Sequence, residues 1–504
     1  MSDKLKNAGR YTQFVGQDRP RRNAVRLAHG RGKFVDDITF ANLAHIAFFR
    51  SPHAHAEILS VDIEAAQGLA GVLDVFTATD LTDICTPWVG VLDHFPGLRS
   101  PEQYPLAMGT ARWNGEPVVA VVAETRAIAE DAVDLIQVEW RELPAVVGID
   151  NSRSKDGPLV HPEYGSNEAF VMKLTAGDSE KAFAKADVIV EDTLDLGRQT
   201  GLTLEPRSIV ANFDPSLRKL TAYHSTQTPY QMQDIFTRHF NLSEENVRVI
   251  SPDVGGSFGM KLHVYGEEMA AVAASIRIGR PVKFIADRME SFLSDIHLRE
   301  HKVHARMALS KSGEILAMQV DDATGIGPFS VYPRTSAMEG NQSLRLMGAP
   351  YKMPNYDGKL AVLFQNKAPT CQYRAVGHPI GVTVTEHLVD LAADKLGIDP
   401  LELRRRNVAT QDMYPYTTAG GYILERLSHE ECLDKLEKLM DYDNLRAEQA
   451  ELRKQGIYRG IGIGAFIEIT NPGPAFYGVG GARISSQDGC FMKLEPSGKI
   501  RVAV

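Results

Sequence analysis

The sequence predicts a mixed α/β (α+β) protein of several domains, and three observations carry that prediction. Residues 117–123 form an unbroken apolar run, Pro-Val-Val-Ala-Val-Val-Ala, which suits a strand buried on both faces. An alanine-rich stretch with helical spacing follows over 125–135. Further on, strand-like runs at 209–213, 220–225 and 247–250 alternate with helical stretches at 230–240 and 266–278. The chain has 504 residues, 43% of them hydrophobic. Single cores stop growing near about 250–300 residues, so more than one is expected.

In chain order, residues 1–24 form an N-terminal arm within a basic stretch that runs on through Arg26, Arg31 and Lys33. Such a stretch either docks on an acidic partner or is a solvated terminus. Residues 25–150 read as one α/β unit, with strands at 43–49, 72–77 and 117–123. A linker over 151–165 opens with a polar run and a Gly157-Pro158 break. A second unit spans 166–410. Its last helical stretch, 383–406, is amphipathic and is interrupted by Gly397 and by Asp399-Pro400, a C-cap followed by a new N-terminus. Residues 411–504 begin a third, incomplete unit, glycine-rich and strand-like from 460. It closes on a hairpin: a strand at 491–494, a Glu-Pro-Ser-Gly turn and a strand from Lys499. No internal repeat is present.

Composition excludes some functions. The formal net charge of −9 lacks the basic excess of a nucleic-acid binder. No apolar run reaches the roughly eighteen residues of a membrane span, and residues 1–14 have no apolar leader segment, so a cytoplasmic protein is expected. The four cysteines, Cys85, Cys371, Cys432 and Cys490, are far apart. They build neither a disulfide framework nor a local zinc or iron–sulfur site, so any electron-transfer cluster belongs on another chain.

The most informative segment is Pro252-Asp253-Val254-Gly255-Gly256-Ser257-Phe258-Gly259-Met260-Lys261. Its glycines allow close approach of the backbone to an anion, and successive N–H groups can form a nest for one. Equally, the spacing suits a strand-to-helix turn with a bulge. It is neither a Walker A loop nor a dinucleotide fingerprint. His297, His301 and His304 sit in a run with strand alternation, at or near its polar face, which argues against a metal site. His53 and His55 read as a turn. Glu267 and Glu268 open an alanine-rich helix, where acids suit the helix dipole. No zinc-protease or serine-hydrolase motif occurs.

Several segments in this order resemble the large, molybdopterin-binding subunit of the xanthine oxidase family, which includes aldehyde oxidoreductases, aerobic carbon monoxide dehydrogenases and N-heterocycle hydroxylases. They are Phe49-Arg50-Ser51-Pro52-His53-Ala54-His55-Ala56, Trp113-Asn114-Gly115-Glu116-Pro117-Val118, Ser225-Thr226-Gln227, the glycine loop from Gly255 to Lys261, Gly279-Arg280-Pro281-Val282-Lys283, Tyr373-Arg374-Ala375-Val376-Gly377, and Gly397-Ile398-Asp399-Pro400-Leu401-Glu402-Leu403-Arg404-Arg405-Arg406-Asn407.

The resemblance implies an α/β-hammerhead domain (25–150), a first molybdopterin-binding domain (166–410) and the start of a second (411–504). It implies a molybdenum–molybdopterin cofactor, bare or as the cytosine dinucleotide, with no metal ligand from the protein. It assigns cofactor contacts to Gln227, Gly255, Gly256, Ser257, Phe258, Gly259 and Arg374, and substrate-pocket positions to Leu262, Ala375 and Val376. Where purine hydroxylases carry an acid this chain has Leu262, and where they carry an aromatic it has Val376. Where copper-containing carbon monoxide dehydrogenases carry a cysteine it has Ala375, and Cys371 does not replace it. Xanthine and copper-dependent carbon monoxide oxidation are therefore not expected. The family subunit is longer, and its catalytic glutamate lies beyond Val504. That segment is expected on a further subunit, unless the chain is a truncation. The expected function is oxidative hydroxylation of an aldehyde or N-heteroaromatic carbon, with iron–sulfur and FAD subunits as partners. The alternative is a non-catalytic assembly scaffold.

Overall fold

A computed structural model describes residues 16–92, 95–469 and 490–503. One seven-stranded sheet joins the first two units. Its strands run in the order Val247–Ile250, Lys219–His224, Ser208–Asp214, Val282–Ile285, Ala44–Arg50, Pro117–Ala123, Val72–Thr77. The seam is the parallel pairing of Ala44–Arg50 with Val282–Ile285, in which Ala44 faces Val282. Pro117–Ala123 is buried at every residue, which explains its continuous apolar run: it lies between two strands with side chains covered on both faces.

The helix Gly266–Ile278 packs on this sheet, and its residues from Glu267 to Ser275 are all buried. Small alanines let it lie close to the strands, and Gly279 in the left-handed region ends it. The helix Arg126–Val133 starts where the hydroxyl of Thr125 accepts the Ile128 N–H at 3.2 Å. A small sheet of Thr110–Ala111, Ala56–Asp62 and Gln137–Glu142 completes the N-terminal unit.

A second, five-stranded sheet has the order Glu168–Ala176, Asn355–Leu363, Ile315–Gly325, His301–Leu309, Val188–Leu196. Helices Ala337–Leu346 and His378–Leu396 cover it, burying Leu344, Leu360, Val384 and Leu388 in one core. The amphipathic stretch at 383–406 resolves into two helices, His378–Leu396 and Pro400–Asn407. Gly397 caps the first in the left-handed region, and the Asp399 carboxylate accepts the N–H groups of Leu401 and Glu402 to open the second.

Two expectations need correction. The run at 151–158 is not wholly irregular, because Ile149–Arg153 forms a helical turn anchored by the buried Ile149 against Ala323 and Leu363. Residues 460–469 do not form a strand. Side chains hold that segment instead of a ladder: Arg404 donates to the Ile463 carbonyl at 2.9 Å and the His429 ring bonds to the Phe466 carbonyl at 3.0 Å. The rest of the glycine-rich stretch, 470–489, lies outside the described residues. The terminal hairpin pairs Phe491–Leu494 with Ile500–Ala503, and Phe491, Met492, Leu494 and Ile500 are exposed.

Candidate functional site

Lys219–His224 and Val247–Ile250 are parallel neighbours, so the chain leaves both at the same sheet edge. Crevices outside the carboxyl ends of such strands are the usual ligand sites of α/β sheets. The first strand delivers Ser225, Thr226 and Gln227, and the second delivers the glycine loop. The Lys261 carbonyl joins them, accepting from the Gln227 N–H and the Thr226 hydroxyl, both at 2.9 Å. The Ser251 hydroxyl adds a bond to the Thr226 carbonyl at 3.0 Å.

Three of the loop residues have left-handed backbone, and a fourth is crowded. Gly256, Phe258 and Gly259 have φ of 104°, 54° and 105°, and Gly255 has no room for a side chain. A Cβ on Gly255 would lie 2.4 Å from the Glu205 Cβ, and one on Gly259 would lie 2.8 Å from the Tyr373 Cα. The first and third glycines are therefore needed for packing against this chain's own backbone. The loop closes on a second turn, 372–377, where the Arg374 N–H donates to the Phe258 carbonyl at 2.8 Å. Arg299, at φ 68°, donates to the Arg374 carbonyl and to Glu339, and so holds that turn from beneath. Ala375, at φ 68°, and Val376 are half-buried in it. Leu262 is half-buried just past the loop, and its carbonyl is taken by Gln231 and Arg334.

The structure thus brings Gln227, Gly255 to Gly259 and Arg374 together. Their donors share one property. The Gly259 N–H donates to Gln227 Oε1 at 2.8 Å, which orients the amide and leaves both Nε2 hydrogens free. Among the described residues, no acceptor takes the N–H of Gly256, Ser257 or Phe258, and the Arg374 guanidinium has no partner. Phe258 is 43% exposed, although it is a large aromatic beside a folded loop. A rim of unspent N–H donors and one cation, next to an exposed ring, is a cradle for an electron-rich anionic group with a flat apolar part. The donor set fits a molybdopterin, whose phosphate and dithiolene are such groups.

Beneath the rim the Lys261 charge is paired. Lys261 is fully buried, and its ammonium donates to the Glu205 carbonyl at 2.8 Å, to Glu205 Oε2 at 3.1 Å and to Ser225 Oγ at 2.8 Å. Burial pulls the Lys261 ammonium below its ordinary value, and Glu205 offsets part of that. Glu205 is the residue that sequence reasoning missed. It stands alone in a Leu-Glu-Pro-Arg run with no periodic signal, and only its contacts mark it.

Glu267 and Glu268 do more than complement a helix dipole, which corrects the first reading. Both are buried. Glu267 pairs with Arg207 at 3.2 Å and with Arg50, from the N-terminal unit, at 3.0 Å. Burial alone would raise the Glu267 carboxyl, but the two arginines override it and hold it at about 2. Arg207 also pairs with Asp295 at 2.5 Å and lies 4.0 Å over the Tyr265 ring. Glu268 meets the buried His224 at 3.1 Å.

The histidines need a similar correction. His297 and His301 are buried, and only His304 stands on an exposed face. His301 bonds to Asp322 at 2.7 Å, and Asp322 accepts from the Ser343 hydroxyl at 3.0 Å. Burial pushes the His301 ring toward neutrality, but Asp322 outweighs it and raises the pKa. His55 bonds to the Pro144 carbonyl at 3.0 Å, and His53 lies against Trp140. Among the described residues, no group of three or more histidine, cysteine, aspartate or glutamate side chains is placed to hold a metal ion.

Arg26 is not free for a partner. It makes a bidentate pair with Asp253 at the foot of the glycine loop, both bonds 2.7 Å, and Lys33 N–H adds a third at 2.8 Å. The Arg26 hydrogen bond, then the one from Lys33, brings the Asp253 carboxyl down to about 2. Cys371 is buried against the Thr335 carbonyl, and burial pushes its thiol well up, so it is no ligand-ready thiolate. No described helix is long and apolar enough to cross a membrane.

The chain is similar to several known proteins. Residues 29–144 match the family described as the a/b hammerhead domain of aldehyde oxidase and xanthine dehydrogenase. Residues 160–408 match the molybdopterin cofactor-binding domain. The chain is 33% identical to the nicotine 6-hydroxylase large subunit of Paenarthrobacter nicotinovorans, covering 97% of this chain and 59% of that protein. It is 30% identical to the carbon monoxide dehydrogenase large chain of Hydrogenophaga pseudoflava, over 94% of this chain and 60% of the other. The crystal structure of quinoline 2-oxidoreductase from Pseudomonas putida 86 superposes with a TM-score of 0.92 at 32% identity, covering 97% of this chain and 62% of that one. The chain thus spans about three fifths of the length of these relatives.

Proposed function

The chain belongs to the aldehyde oxidase and xanthine dehydrogenase family of molybdopterin-dependent enzymes, and from that premise we propose that it forms the cofactor-binding part of an oxidative hydroxylase. The observation that carries this reading is the rim of unspent donors: Gln227 Nε2, the N–H groups of 256–258 and the Arg374 guanidinium. These groups stand at an accessible rim where water can meet them, so it is their convergence on one fixed glycine-rich turn beside a cation that points to an anionic ligand.

When bound, the molybdenum–pterin group supplies two-electron oxidation of a carbon, with the new oxygen drawn from water. The chain's own residues position and shield. Gln227 and the 256–258 amides would donate to electron-rich atoms of the group. Arg374 places a fixed positive charge where negative charge gathers. Phe258 would cover the apolar part of the group and keep bulk water from that side. Leu262, Ala375 and Val376 give the substrate side a neutral, apolar lining. This suits an aldehyde or an N-heteroaromatic ring and offers no acid to hold a purine. The carbon monoxide chemistry of a copper-bearing relative finds no thiolate here, because Ala375 follows Arg374. In this reading the electrons leave through iron–sulfur and flavin partner proteins.

Molybdenum and pterin analysis of the purified protein, prepared with and without its partner proteins, tests the reading. Stoichiometric cofactor, together with dye-coupled oxidation of aldehydes or azaarenes by the assembled enzyme, is expected. A folded protein that retains neither molybdenum nor pterin in any preparation would make it a scaffold instead.

A further inference from the structure

Three separate segments make the donor rim, and a single side chain reaches beneath two of them, the glycine loop and the Gln227 segment. Glu205 lies between Gln199–Thr200 and Ser208–Asp214. Its Oε2 accepts the Gly255 N–H at 2.7 Å, the Ser225 hydroxyl at 2.7 Å and the Lys261 ammonium at 3.1 Å. Its main chain repeats the pattern: the Glu205 N–H donates to the Gly255 carbonyl at 3.1 Å, and its own carbonyl accepts Lys261 at 2.8 Å. Gly255 opens the glycine loop, Lys261 closes it, and Ser225 begins the run that ends in Gln227. Glu205 therefore grips both ends of the loop and the root of the Gln227 segment.

Lys261 has the same lesson from the other side. An ammonium has three hydrogens to donate, and all three are spent below the rim, two on Glu205 and one on Ser225. The loop lysine is not a cofactor ligand. It is the cationic half of a clamp whose anionic half is Glu205. With the loop ends pinned, the N–H groups of 256–258 are the ones left over, facing a ligand.

We propose that Glu205 is the positioning residue of the cofactor site, holding the glycine loop and Gln227 in the register that keeps their donors free. The proposal rests on the cofactor-binding reading above, but its structural half is measurable without any cofactor. Second-layer residues of this kind typically change affinity for the held group by about 10–100-fold when replaced.

The test uses the protein as purified in its native assembly, with Glu205→Gln, Lys261→Met and the double variant Glu205→Gln/Lys261→Met. Peptide-resolved hydrogen exchange reads residues 225–227 and 255–261, near-UV circular dichroism reads the packed core, and pterin fluorescence after release reads cofactor content. Glu205→Gln keeps the shape but strands the Lys261 charge. If that variant fails to fold, the double variant, neutral at both positions, carries the test. The expected result is exchange at least about tenfold faster at 225–227 and 255–261 with the rest of the protein unchanged, and pterin content lowered by about tenfold. Wild-type exchange in both segments, in any folded variant lacking the Glu205 carboxylate, would overturn the clamp. If the unaltered protein holds no pterin, the functional reading fails on its own. The exchange result then still decides for or against Glu205.

Discussion

Arg207 and Arg374 carry the same guanidinium, and the chain surrounds them in opposite ways. Arg207 is fully buried at the seam between the N-terminal unit and the rest. Glu267, Asp295, the Ser294 hydroxyl and the Tyr265 ring leave little of it unused. Arg374 stands exposed at the rim of the glycine loop with its main chain fixed on both sides and its charge unpaired among the described residues. A charge inside the protein must be paired, because its desolvation costs several kcal/mol otherwise. A charge at the rim meets no such demand, so its immobilised backbone needs another explanation, and an anionic ligand supplies it. Saturation marks the structural arginine, and fixed geometry without saturation marks the functional one.

The largest test of this contrast is Arg207→Met. It strands the buried Asp295 and leaves Glu267 to Arg50 alone, and we expect a loss of about 3–5 kcal/mol of folding stability by denaturant titration. A loss in the range of an exposed pair, about 0–1 kcal/mol, would show that the seam does not hold the two units together. At the rim, Arg374→Ala and Gln227→Ala should each lower turnover of the assembled enzyme by about 10²–10³. Arg374→Ala should leave stability within about 0.5 kcal/mol. Wild-type turnover in either variant would remove that residue from the site.

A third test uses pH. Burial lifts the Glu116 carboxyl from 4.5 to about 8, against hydrogen bonds from the Arg112 and Trp113 backbone. Between those values the folded protein keeps a proton that the unfolded chain has lost, so Glu116 makes stability fall as pH rises through that window. Glu267 has the opposite sign. Its carboxyl is held at about 2, so its contribution is present above 4.5 and is lost as pH falls toward 2. Glu116→Gln should therefore melt above the unaltered protein at pH 8 and close to it at pH 5. Parallel melting curves across that range would contradict the buried-acid assignment. The smallest effect is expected at Phe258: with its ring half in solvent, Phe258→Ala should shift stability by no more than about 0.5 kcal/mol by the same titration.

Much of the fold was legible as pattern. The period-one apolar run at 117–123, the helix at 266–278 and the break at Gly397 and Asp399-Pro400 each follow from local rules and appear where those rules put them. Pattern failed where contacts rather than periodicity hold the chain, as at 460–469, where Arg404 and His429 take the Ile463 and Phe466 carbonyls. The site was half legible. The glycine loop, Gln227 and Arg374 stood out as motifs, and they do meet. Glu205, Arg299 and the burial of Lys261 left no trace in the sequence.

What the sequence determined by itself is therefore whatever depends on near neighbours: where elements start and stop, which faces are apolar, and which loop can take positive φ. The tertiary structure alone decided pairing. Glu205 meets Lys261 across 56 positions, Arg50 meets Glu267 across 217, and Arg26 meets Asp253 across 227. No local rule links residues that far apart. An acid in a sequence looks the same whether it will be solvated or clamped. Only after the chain has folded does burial raise the cost of an unpaired charge enough to choose its partner, and only then do the donors left unpaired show where a ligand belongs.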